Sequence, residues 1–289
     1  MSRFFFGWVN RRYHQLYICA LFVCTLSLSV VLPACTPAPS SATSLKITGS
    51  STVAPMMADI VRHYSIFNPN ITVDVSAGGS NQGIEDVRQG ESDIGMVSRS
   101  LTPEETELEA FTIARDGISL LIHQNNPITN LSKQQIIDIY TGKIDNWQAV
   151  NGPSAPIEVL SQNRNYATQS LFVDYFSLTA DGIKADRLLE DNQAMMQSVV
   201  ENPAAIGYVS IGAAEYKIIH GMPITLLPLE GIDATIRNVS NGTFPLSRPL
   251  KLITSPSPTN EQKKLIEFAL SSEVKDIIQE KTFVPTVSH

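Results

Sequence analysis

Three clusters of small hydroxyl residues carry the chemistry that can be read from this chain: Gly49-Ser50-Ser51-Thr52, Gly78-Gly79-Ser80 and Ser98-Arg99-Ser100. Each follows a short apolar or alternating run, Leu45–Thr48, Ile71–Val75 and Asp93–Val97, as a strand exit would. Pro55 suits only a first helical turn, so the first cluster sits where a strand gives way to a helix. A helix start offers unpaired N–H groups and the positive end of the helix dipole. With the hydroxyls of Ser50, Ser51 and Thr52, it makes a site for a small anion. The same residues also suit an ordinary capped helix that binds nothing.

Nucleophilic or metal chemistry finds less support. There is no Gly-x-Ser-x-Gly elbow, and His14, His63, His123, His220 and His289 fall into no triad or zinc spacing. Gly78–Gly83 lacks the dinucleotide spacing, and no phosphate-loop Gly-Lys-Ser/Thr run occurs. No catalytic residue, metal or cofactor is expected.

The elements that must position the hydroxyl clusters alternate between strand and helix. Val53, Met56, Met57, Ile60, Val61 and Tyr64 keep helical spacing up to the breaker Asn68-Pro69-Asn70. Thr102-Pro103-Glu104-Glu105 reads as another helix start, and Ile118–Ile122 as a strand. Asn125-Asn126-Pro127 reads as a crossing into a second lobe and Phe244–Pro249 as the return. Between them lie helices from Ser132 and Gln169, the strands Ile157–Leu160 and Ile206–Val209, and a helix near Gln193–Val200. This order predicts an α/β protein with two lobes, two crossovers and a ligand cleft between the lobes. The boundaries read from the sequence are 45–123 plus 246–289 for lobe I and 124–245 for lobe II.

The first 34 residues stand apart. Arg3, Arg11 and Arg12 precede an uncharged apolar run from Leu16 to Ala34, the layout of an export signal, although hydropathy alone fits a retained anchor equally. Leu32-Pro33-Ala34-Cys35 resembles a bacterial lipobox with Cys35 as the lipidated residue, and residues 35–44 form a Pro/Ser tether. The other cysteines, Cys19 and Cys24, lie within the apolar run, so the folded part can hold no disulfide. The whole chain carries −7. Without the leading arginines, 18 basic residues face 28 acidic ones, a net −10 that disfavours nucleic acid or anionic membrane as a partner. An anion must therefore be held by an enclosed, preorganised set of donors.

Several stretches together resemble one family. Thr48–Thr52, Gly78-Gly79-Ser80, Asp93–Arg99, Asp116-Gly117-Ile118, Tyr140–Trp147, Ala205–Ser210 and Pro245-Leu246-Ser247-Arg248-Pro249 are similar, in order, to motifs of the periplasmic phosphate-binding proteins of bacterial ABC importers. The resemblance runs from about residue 45 to the C-terminus. It implies a two-lobed fold that closes over one dehydrated phosphate and delivers it to a membrane permease, as a monomer held on the outer side of the membrane. It also implies ligand contacts from Ser50, Ser51, Thr52, Ser80, Ser98, Arg99 and, in the second lobe, Thr168, with Arg99 adding most of the compensating charge.

The second-lobe loop departs from the family pattern of an arginine, three variable residues and Ser-Gly-Thr. Here it reads Gln162-Asn163-Arg164-Asn165-Tyr166-Ala167-Thr168, so only the threonine is kept. Arg164, with Asn165 and Tyr166, either supplies the missing charge or belongs to a solvated loop. Arg99 stands where some members have an aspartate that accepts a proton from hydrogen phosphate, and an all-donor site separates phosphate from sulfate poorly. The alternative role is a lipid-anchored oxyanion sensor uncoupled from transport.

Overall fold

The computed structural model describes residues 43–286. The expected leader, Cys35 and most of the tether lie outside the described residues. In chain order the elements are β1 Thr43–Gly49, α1 Ala54–Phe67, β2 Ile71–Ala77, α2 Ser80–Gln89, β3 Ile94–Val97, β4 Glu109–His123, α3 Lys133–Tyr140, β5 Glu158–Gln162, α4 Ala167–Tyr175, β6 Arg187–Leu189, α5 Asn192–Glu201, β7 Ala205–Ser210, α6 Ile211–Ile219, β8 Ile224–Leu226, α7 Ile236–Ser240, β9 Ser247–Thr254, α8 Asn260–Leu270, α9 Lys275–Glu280 and β10 Val284–Pro285. β1 begins at Thr43, inside the stretch read as tether.

Local sequence explains most of these elements. α1 has its proline in the first turn and buries Met56, Met57, Ile60, Val61 and Tyr64, the stripe set by their spacing. The capping boxes Ser132/Gln135 and Thr259/Gln262 start α3 and α8. The helix expected from Thr102 does not form. Pro103–Glu105 is one 3₁₀ turn, and the chain is then taken up by β4, whose Glu109 pairs with Thr254 of β9. Long-range strand pairing overrides the local start signal here.

One sheet carries the fold, in the order β2-β1-β3-β9-β4-β7-β5-β6, with β8 and β10 also pairing with β4. β1, β2 and β3 are mutually parallel, and β9 runs antiparallel to both β3 and β4. β4 changes partners along its length. Up to Gly117 it pairs with β9, and from Ile118 with β7. The chain thus leaves the first half of the sheet inside β4, earlier than Asn125–Pro127, because the strand continues without a break. Beside this change of partner, at the start of β9, Leu246 O accepts from Ile118 N at 2.9 Å.

Each half has its own core. Ile47, Met56, Ile60, Leu252 and Leu265 pack in the first, and Ile118, Tyr140, Trp147, Phe172 and Tyr208 in the second. Trp147 is fully buried and donates Nε1–H to Ala204 O at 2.8 Å, so it is a packing residue. Among the described residues, no helix is long and apolar enough to cross a membrane.

Candidate functional site

The parallel register puts three strand ends level with one another: Gly49 lies opposite Ala77 on one side and Met96 on the other. The hydroxyl clusters that follow therefore share one edge of the sheet. Backbone bonds stitch the exits together. Met96 O accepts from Ser50 N at 2.8 Å, and Gly49 O accepts from Gly78 N and Gly79 N at 2.9 and 3.0 Å. This approach needs glycines. A Cβ on Gly83 of α2 would lie 2.8 Å from Gly49 Cα, and one on Gly49 would lie 2.3 Å from Met96 O. Ser80, the first residue of α2, accepts from Ser98 N at 3.1 Å, with its hydroxyl 3.3 Å from that of Ser98.

At the centre of this edge is a residue the sequence reading left without a role. Arg248 of β9 is 2% exposed and lies directly opposite Asp116 of β4, itself fully buried, in the antiparallel register. Arg248 donates to Asp116 Oδ2 from Nε at 3.1 Å and from Nη2 at 2.8 Å. Its Nη1 donates to Thr168 Oγ1 at 2.9 Å and Ser98 Oγ at 3.3 Å, and Nη2 to Thr52 Oγ1 at 3.1 Å. Those bonds use the five N–H donors that a guanidinium has. Asp116 Oδ1 also accepts from Gly212 N at 3.0 Å, at the start of α6.

A hydroxyl that accepts from a guanidinium must direct its own proton elsewhere. Thr52, Ser98 and Thr168 are therefore polarised donors around one point. Thr52 Oγ1 accepts a second bond, from Asn192 Nδ2 at 3.1 Å, and Asn192 is the first residue of α5. Helices α2, α4 and α5 begin at or within a residue of these side chains, and α1 begins two residues beyond Thr52. The positive ends of these helices therefore lie near the hub, whose guanidinium is already matched by the Asp116 carboxylate. The arrangement suits a small anion rich in acceptor oxygens.

The structure brings Thr52, Ser80, Ser98 and Thr168 together and places the other expected residues elsewhere. The Ser50 hydroxyl accepts from Thr52 N at 3.3 Å and Val53 N at 3.4 Å, closing the turn that precedes α1. Ser51 lines a cavity of about 380 Å³ with Thr52, Asn192 and Lys217. Arg99 turns away from the hydroxyls and forks onto Glu105, Nη1 to Oε2 at 2.7 Å and Nη2 to Oε1 at 2.8 Å. The Arg99 guanidinium in turn holds the Glu105 carboxyl below the usual glutamate range. Arg164 pairs with Asp181 on the surface, the solvated alternative. Asn165 turns its carbonyl toward Gly79 and Asn81, and the Tyr166 ring lies beside Gly79. The central positive charge is thus Arg248, not Arg99 or Arg164.

Arg248, placed by the sequence only within the Pro245–Pro249 motif, and Asn192 take their roles from the structure for different reasons. Arg248 keeps the inward phase of Leu250 and Leu252 in β9, so an alternating strand with a charge at an apolar position was a readable signal. Asn192 offered none beyond its place at a helix start. The second-half loop is supported by Tyr208, whose hydroxyl accepts from Gln162 N at 3.0 Å and lies 2.8 Å from Ser161 Oγ. Burial pushes the Tyr208 phenol up to about 12, so it stays a neutral hydroxyl. Tyr208→Phe is expected to cost about 1–3 kcal/mol by stranding the Gln162 N–H and Ser161 Oγ, measured by urea unfolding; a change below about 0.5 kcal/mol would contradict this support. Among the described residues there is no group of three or more His, Asp, Cys or Glu side chains able to hold a metal.

Two half-sheets joined through β4 and by the chain's return at Leu246, with buried donors from both halves meeting between them, are the architecture of a solute-binding protein of the periplasmic type. The chain belongs to the PBP superfamily, whose domain model matches residues 36–273. A Clostridium perfringens substrate-binding protein, assigned to phosphate ABC transport and solved with bound phosphate, is 32% identical with a TM-score of 0.79; the match covers 84% of this chain and 100% of that one. An ABC-type phosphate transport receptor from Vibrio cholerae is 31% identical with a TM-score of 0.69, covering 83% and 99%. The phosphate-binding protein PstS of Bacillus subtilis is 26% identical over 251 residues, covering 84% of this chain and 80% of the relative.

Proposed function

We propose that this protein captures inorganic phosphate between its two halves and delivers it to the permease of an ABC importer, acting as a binding protein without catalysis. The observation that carries the reading is the Arg248 hub, which joins Thr52 and Ser98 of the first half to Thr168 of the second. A tetrahedral oxyanion placed there would accept the O–H protons of Thr52, Ser80, Ser98 and Thr168. It would also compete for the Nη1 and Nη2 hydrogens, giving the near-complete donor shell that a dehydrated phosphate needs. Because the hydroxyls come from both halves, full affinity requires closure. Lobes bounded by the partner change in β4 and the return at Leu246 would supply the hinge, and lipidation of Cys35 would keep the protein at the outer face of the membrane. The relatives that bind phosphate support the ligand, and the acidic net charge supports an enclosed site over a basic patch.

Isothermal titration with phosphate, alone and with sulfate in tenfold excess, tests the reading. One-site binding of phosphate is the expected result, weakened in part by sulfate because the groups described around the hub are donors. Absent binding, or tighter binding of sulfate, would overturn the ligand.

A further inference from the structure

We propose that Asn81 is a latch that holds the two halves closed, and that Arg99 serves to aim it. The proposal rests on the phosphate reading for its ligand but on separate contacts for its geometry. Asn81, in the first turn of α2, reaches across to the second-half loop. Its side-chain Nδ2 donates to Arg164 O at 3.1 Å and its backbone N to Asn165 O at 3.3 Å. Gly79 abuts the same loop, and a Cβ there would stand 2.6 Å from Asn165 O. Closure therefore brings two backbones together, and the second-half partners are carbonyls, available whatever side chains the loop carries.

An amide that both donates and accepts works in one orientation only. Arg99 Nη2 donates to Asn81 Oδ1 at 3.0 Å, which turns the NH₂ toward Arg164 O. Arg99 is itself held by the two-pronged bond to Glu105, with side chains 12% and 10% exposed, and Thr102 N donates to Glu105 Oε2 at 2.9 Å. The hydrogen-bonded chain Thr102–Glu105–Arg99–Asn81 lies within the first half and ends in a donor aimed at the second. This gives Arg99 a positioning role outside the ring of hydroxyls. Asn81 itself is exposed, so water competes for its bonds and the latch adjusts the rate of release without being the main source of affinity.

The test is the dissociation of ³²P-labelled phosphate from the full-length protein in detergent, chased with unlabelled phosphate. Asn81→Ala is expected to speed release about fivefold, with association and thermal midpoint unchanged, because the lost bond exists only in the closed state. Asn81→Asp sets a carboxylate oxygen against a carbonyl and is expected to speed release about tenfold. Arg99→Lys removes the aiming bond, so it should speed release in the wild-type background and add nothing to Asn81→Ala. Unchanged release, or association slowed as much as release is speeded, would overturn the latch. Should the wild-type protein bind no phosphate, the functional reading falls and small-angle scattering still decides the latch. A larger radius of gyration for Asn81→Asp than for wild type supports it, and an identical radius overturns it.

Discussion

Arg248→Ala is expected to abolish phosphate binding and to lower stability by roughly 3–5 kcal/mol, the cost of leaving one member of a buried ion pair uncompensated. The bereaved group is Asp116, fully buried and left with Gly212 N as its remaining donor among the contacts described. Against a total stability of about 5–15 kcal/mol for a folded protein, such a loss brings the chain close to unfolding. Binding and stability must therefore be separated. Arg248→Gln combined with Asp116→Asn removes both charges, keeps an acceptor for Gly212 N and is expected to recover most of the lost stability while binding stays absent. Titration and urea unfolding of the single and double variants make the comparison. A double variant that binds phosphate as tightly as wild type would show that the guanidinium does not organise the donors.

Gly49→Ala is expected to cost roughly 3–6 kcal/mol, adding backbone strain to overpacking. Gly49 has φ of 129°, a conformation open in practice to glycine alone, and an added Cβ would meet Met96 O, Met96 N and Gly83 Cα at 2.3, 3.0 and 3.1 Å. All three are backbone atoms, so no rotamer change relieves the contact. Gly242→Ala is the control. Its φ is 76° and nothing lies within 4 Å of the added Cβ, so about 1 kcal/mol is expected. Urea unfolding distinguishes the two, and near-equal losses would mean that the Gly49–Gly83–Met96 contact is not tight. Phosphate affinity of any folded Gly49→Ala protein should fall as well, because the clash pushes Thr52 away from Ser80, Ser98 and Arg248.

The order of strands and helices in the first half was legible because its signals are local. Alternation gave β1 and β2, the 3.6-residue stripe gave α1, and glycine and proline marked the turns. That Thr52, Ser80 and Ser98 share an edge was legible for the same reason: residues that follow parallel strands lie at one edge of a sheet wherever they occur in the chain. The short turn at Pro103 was misread because its capping box is real, Thr102 with Glu105, yet the residues after it gain more from pairing with β9.

What tertiary structure alone decided is which charge sits among those hydroxyls. Arg99 stands beside Ser98 in the sequence, but a carboxylate six residues away claims it. Arg248 lies 150 residues from Ser98, 132 from Asp116 and 196 from Thr52, and it reaches all three because β9 inserts between β3 and β4 in a register that sets it opposite Asp116. Periodicity fixes a side chain's face over a few residues. Register between strands more than a hundred residues apart is set by the packing of both cores at once, and no local pattern encodes it. The chain by itself thus determined the sheet edge and the hydroxyls proposed to hold an anion, while the fold chose the arginine at its centre and the asparagine that reaches across it.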